Sequence, residues 1–204
     1  MNTDQIGYLL RASTSGAVAG CRVSELELPQ LGCMLRIPQA HGYQVYGILY
    51  DMHIDDDGLV RQLVTADSIS PEVIADNRLH RTVPVEISMI FAGYQQGEHI
   101  FHLLPPRPPL TLEDVYLCTP VEMCAFTASG HFGYFRHILR GTDFPAAEIL
   151  ASHLRQAALA QLRQDNPGWA NAATQEVITL LRDDYPTLMN VLAALSDAQL
   201  MSEE

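Results

Sequence analysis

Four prolines packed into the segment Leu104-Pro-Pro-Arg-Pro-Pro-Leu110 divide this chain into stretches of different character. Proline gives no amide hydrogen to a sheet ladder and clashes inside a helix, so neither element can run through such a segment. Before it, short apolar stretches alternate with glycine and polar turns. From about Gly141 onward the pattern is that of amphipathic helix. The expectation is an α+β chain: a small closed or partly open N-terminal β-barrel over residues 1–120, a connector over 121–140, and a C-terminal helical appendage of about three helices over 141–204.

The strand signals are local. Ile6–Ala12 and Ala17–Val23 flank the turn Ser13-Thr-Ser-Gly16, and Glu25–Leu28 is a further short alternating stretch. Pro29-Gln-Leu-Gly32 turns into Cys33–Ile37, which stops at Pro38. Tyr43–Tyr50 carries the aromatic and β-branched residues that suit a pleated surface. Asp55-Asp-Asp-Gly58 reads as a turn, and Ser70-Pro-Glu72 as the start of a short helix near residues 71–78. Thr82–Phe91 alternates early and becomes continuously apolar later, as expected of a strand crossing from surface to core. A turn is expected from Gly93 to Gly97, a returning strand over Glu98–Leu104, and an end to the sheet at the prolines.

In the helical part, Thr142-Asp143 can cap a helix whose apolar stripe is Ile149, Leu150, Leu154, Ala157, Ala158 and Leu162. Asn166-Pro167 and Tyr185-Pro186 separate it from two more, the last with Leu188, Leu192 and Leu195 on one face. Three helices over some 60 residues bury little alone, so they should dock on the barrel, on each other or on a second chain.

Composition narrows the function. Against 24 acidic residues stand 12 basic ones, every one an arginine, for a net charge of −12. Nucleic-acid affinity rests on cations displacing counterions from phosphates, so no direct nucleic-acid binding is expected, and no membrane surface either. With no basic and apolar leader at Met1–Gln5, the expected location is the cytoplasm, where Cys21, Cys33, Cys118 and Cys124 stay thiols.

The order of motifs resembles the HAS barrel, the N-terminal domain shared by HerA-type DNA translocases and the catalytic subunits of ATP synthase. The residues are Ile6-Gly-Tyr8 with Ala12-Ser-Thr-Ser-Gly16, Leu31-Gly32 to Ile37, Val45-Tyr-Gly-Ile-Leu49, Pro84–Tyr94, and the proline segment leading into Val115-Tyr116. The resemblance covers roughly residues 5–120. It implies a closed barrel that assembles rings or docks partners and does no chemistry. The motor that would follow is missing: a phosphate-binding G-x-x-x-x-G-K-[ST] loop needs a lysine, and this chain has none.

Candidate chemistry is thin. Cys118, Cys124, His131 and His137 lack the short knuckle of a zinc finger. His53, Asp55 and Asp57 lead to Gly58 but do not complete a calcium loop, since Val64 stands at its last position. Ser15 and Ser129 lie outside a Gly-x-Ser-x-Gly setting. His99 and His102 should face opposite sides of a strand. Arg107, held between prolines, suits a carboxylate on a partner.

The leading expectation is therefore a non-enzymatic interaction or assembly module, without cofactor or metal, contacting a protein or a second copy of itself. Arg107, Leu188, Leu192 and Leu195 are the candidate contacts, and a translocase or nucleic-acid-processing complex the partner that the resemblance implies. Two alternatives stay open. One is a small enzyme built on Cys124, His131 and His137. The other is a ligand-binding barrel using Tyr43, Tyr46 and Tyr50, of which Tyr46 and Tyr50 share a face and Tyr43 takes the other.

Overall fold

Alternation along each strand sorts side chains into two buried layers, and that sorting is the plan of the molecule. A computed structural model describes residues 5–23, 28–54, 65, 70, 72 and 83–200. The expected turn at Asp55–Gly58, and most of both the helix near 71–78 and the stretch Glu25–Leu28, lie outside the described residues.

Seven strands are present among the described residues: β1 (Gln5–Ala12), β2 (Gly16–Val23), β3 (Met34–Pro38), β4 (Tyr43–Ile54), β5 (Val83–Gln96), β6 (His99–Phe101) and β7 (Asp114–Leu117). Six of them close a barrel in the order β1-β7-β3-β4-β5-β2 and back to β1, with every pairing antiparallel. The 14-residue β5 pairs with β4 along its length. On its other edge it pairs first with β2 and then with β6.

Three expectations change here. The sheet does not end at the prolines: the chain returns as β7, which fills the gap between β1 and β3. Four residues are too few to announce themselves by alternation. The turn expected over Gly93–Gly97 contracts to Gly97-Glu98, because β5 continues to Gln96 opposite Tyr43. Gly93 marks a close approach instead, since a Cβ there would lie 2.2 Å from the Phe101 carbonyl oxygen. The returning strand stops at Phe101 rather than Leu104.

Five helices follow: α1 (Pro120–Ala128), α2 (Phe135–Leu139), α3 (Ala146–Arg163), α4 (Trp169–Leu181) and α5 (Tyr185–Asp197). The last three match the expected appendage. The first two occupy the expected connector, so helix begins directly after the barrel. Thr119 and Glu122 form a capping box at the start of α1. Helix α3 starts later than Thr142-Asp143, with Pro145 as its N-cap residue and no side-chain cap.

Leu9, Leu35, Ile37, Val45, Leu49, Ile87, Met89, Phe91 and Val115 fill the barrel interior. On the outer face Met34, Tyr46, Ile48 and Ala92 join the helical core of Phe126, Phe135, Leu150, Leu154, Trp169 and Val177. The unbroken apolar run Val45–Tyr50 reflects a strand covered on both sides. The helical appendage thus packs on its own barrel.

Polar groups stitch that seam. Ser152 Oγ and Gln156 Nε2, on α3, donate to the Leu31 carbonyl at 2.6 and 2.8 Å. His153 Nδ1 is 3.0 Å from the Gly32 carbonyl, and its Nε2 is 3.0 Å from the Tyr134 hydroxyl. The carbonyl can only accept, so Nδ1 carries the hydrogen and Nε2 accepts from Tyr134. Gly32 sits at φ +77°, and a Cβ there would lie 2.7 Å from the backbone nitrogen of His153. Only glycine lets the turn come this close to the helix. Farther along, Arg36 pairs with Glu122 at 2.9 Å and lies 4.6 Å above the centre of the Tyr116 ring.

Candidate functional site

The residues nominated for catalysis do not converge by hydrogen bonding. Cys124 is buried in α1, and burial raises its thiol above the usual value, which disfavours the thiolate a nucleophile needs. His131 is exposed, at φ 47° in the 3-10 turn Gly130–Phe132. His137, on α2, donates through Nε2 to the carbonyl oxygen of His102, 3.2 Å away. Arg136 donates to that same oxygen.

The spacing of His99 and His102 puts them on opposite sides of the chain, where they cannot pair on one face. The two do part: His99 is exposed and His102 is buried. The His102 ring lies between Phe126 and Tyr134, with Nε2 3.1 Å from the Phe126 carbonyl. Burial lowers the pKa of both His102 and His137, so both favour the neutral form. Ser129 Oγ lies 3.3 Å from His102 Nε2 but donates to the Phe126 carbonyl at 2.8 Å, ending α1 rather than presenting a nucleophile. Ser15 lies in a hairpin turn, its backbone amide donating to Ser13 Oγ.

The four cysteines are free thiols, and burial lifts Cys33 to about 12. Among the described residues no group of three or more His, Cys, Asp or Glu is placed to hold a metal ion. The tyrosines divide as their spacing requires. Tyr46 packs on Phe126 and Tyr50 stacks on Phe144, both on the helical side, whereas Tyr43 meets Tyr94 at the barrel core.

The helical leucines nominated as contacts are internal. Leu195 is fully buried, and Leu188 and Leu192 pack partly buried against the same core. Arg107 is exposed, as expected.

What the sequence did not signal is the apolar surface around that arginine. Pro105 and Pro109 are buried, anchoring the strap, while Leu103, Leu104, Leu110 and Leu112 project outward. Leu110 and Leu112 are 70% and 76% exposed. The strap is tied to β1 by the Leu112 amide donating to the Leu9 carbonyl at 2.8 Å, and by the Leu9 amide donating to the Glu113 carbonyl at 2.9 Å. Tyr8 and Leu10, on the outer face of β1 beside this junction, are also exposed. Exposed leucines held on fixed backbone are the feature of this surface most suited to binding protein.

Among the described residues no helix is long and apolar enough to cross a membrane. No family model matches the chain, and no curated protein matches it.

Proposed function

We propose that the protein is a non-enzymatic assembly module that associates with a second copy of itself through the leucine-bearing strap and the outer face of β1. One observation carries the reading: Leu110 and Leu112 stand exposed on a segment whose prolines and backbone hydrogen bonds hold it against the barrel. A pre-ordered apolar surface loses little conformational freedom on binding. Barrel closure leaves β6, three residues long, as the strand with an open edge among the described residues, so contact runs through side chains rather than strand addition.

Arg107 adds specificity. It needs a carboxylate opposite, and a chain with 24 acidic residues offers many. The resemblance to HAS barrels supports an assembly role, with a translocase or nucleic-acid-processing complex in the cytoplasm as a further partner of this reading, contacted as protein because a chain of net charge −12 disfavours nucleic acid.

Light scattering over a range of concentrations tests the reading. The native chain should give a mass above that of the monomer, and Leu110→Ser combined with Leu112→Ser should return it to monomer while keeping its circular dichroism. A native chain that stays monomeric at every concentration overturns self-association. Pull-down of one defined partner, lost in the double variant, would move the same surface to a different protein.

A further inference from the structure

Among the described residues a cleft lies where the barrel rim meets the helices, and it is not part of the strap surface. It has a volume of about 450 Å³. One wall is the end of β1 and the β1–β2 turn, with Arg11, Ser13 and Ser15. The other is the loop between α2 and α3, with Arg140 and Thr142, and behind them stands the stacked pair Tyr50 and Phe144, ring centres 4.6 Å apart. Gly141 shapes that loop, for the Phe144 ring folds so closely over it that any Cβ would collide.

Two arginines, Arg11 and Arg140, line this one cleft in a chain of net charge −12. Arg11 is partly neutralised by Glu86 at 3.5 Å, and both side chains are solvent-accessible. Arg140 is exposed and, among the described residues, has no ion-pair partner. Its neighbour Arg136, by contrast, is committed to the His102 carbonyl. Guanidinium groups present paired N–H donors that match the two oxygens of a phosphate or carboxylate, and hydroxyls beside them can fill the remaining acceptors. The Ser13 and Ser15 hydroxyls, 3.1 Å apart, are exposed on the facing wall. Asp143 also lines the cleft and works against an anion, though its Oδ1 accepts from Thr142 at 3.4 Å.

We propose that this cleft binds a small oxyanion-bearing molecule, a phosphate or a carboxylate, gripped by Arg140 and Arg11 across the cleft. Binding of this kind requires neither self-association nor a protein partner, so it goes beyond the assembly reading.

Titration of the purified protein with pyrophosphate, and separately with succinate, at constant ionic strength tests it, followed by backbone amide resonances. At least one probe should give saturable shifts confined to Ser13–Val18 and Arg140–Phe144. Arg140→Gln should weaken that binding about tenfold or more, and Arg11→Gln should weaken it less because Glu86 already shares that charge. Asp143→Asn should tighten it. Arg155→Gln, an exposed arginine away from the cleft lining, should leave it unchanged. A response to pyrophosphate alone identifies a phosphorylated ligand and a response to succinate alone a carboxylated one. Shifts that grow without saturating for both probes, or an Arg140→Gln protein that titrates like the native chain, overturn the proposal.

Discussion

The barrel interior and the seam beneath the helices are both buried, yet they are held in different ways. Inside the barrel Leu9, Leu35, Ile37, Leu49, Ile87 and Phe91 meet with almost no polar atom among them. At the seam the apolar contacts of Tyr46, Ile48 and Phe126 are interleaved with buried hydrogen bonds made by His153 to the Gly32 carbonyl and by Tyr134 to His153. An apolar interior tolerates any arrangement that fills its volume, whereas buried polar groups accept one geometry and are costly in every other. The barrel supplies a closed body; the seam fixes where the helices lie on it.

Four experiments can break that contrast. Phe91→Ala, in the interior, should have the largest effect, about 3–5 kcal/mol in denaturant unfolding, and its cost should be the same at neutral and mildly acidic pH. A marked pH dependence of that cost would show that the two regions are not separable.

The seam should instead be acid-sensitive. Burial holds His153 at about 4, below its usual 6.5, so the folded chain keeps it neutral where the unfolded chain protonates it. Stability should be full above about pH 6.5 and should fall as pH drops toward about 4, by up to ~1.4 kcal/mol per unit. His102 and His137 are shifted the same way by burial and add to the slope. Replacing His153 with Gln should flatten the profile; an unchanged slope would remove His153 from the account.

Tyr134→Phe deletes the donor to His153 Nε2 and leaves that atom buried without a partner, at a cost of about 1–3 kcal/mol by thermal unfolding. A cost near zero would mean that the hydrogen bond does not fix the seam. Smallest is Glu122→Gln, which keeps a side chain able to complete the capping box of α1 but removes the charge facing Arg36. Its cost should be under about 1 kcal/mol, measured as a shift in the urea midpoint.

How far each region could be read from sequence follows from the range of the interactions that make it. Val45–Tyr50 and Val85–Phe91 carry their burial in their own composition, and the β1–β2 turn is written in Ser13–Gly16. Strand β7 is legible only through what surrounds it, because Asp114–Leu117 is too short to show a period. Helix α1 places apolar residues on most of its sides, Val121, Met123, Cys124 and Phe126 among them, so it shows no clear stripe. Its local signal was the start Thr119-Pro-Val-Glu122, a capping box with proline in the first turn. His153 could be placed on the apolar stripe of α3 from its spacing to Ile149 and Leu150. Its partner, the Gly32 carbonyl, lies 121 residues away in the chain, and no local pattern reports such a pairing. The strap surface was missed for a related reason: prolines announce extended backbone but not which of their neighbours the fold will bury.

Strand β7 also sets a schedule for biosynthesis. β1 finds β2 at once through a tight turn, but its second edge, and the facing edge of β3, wait until Asp114–Leu117 leave the ribosome. A nascent chain stalled or cleaved within the proline strap carries two unsatisfied strand borders and an unsealed apolar lumen, the conditions under which polypeptides stick to one another. Docking of β7 is therefore the step that separates an open sheet from a sealed cylinder.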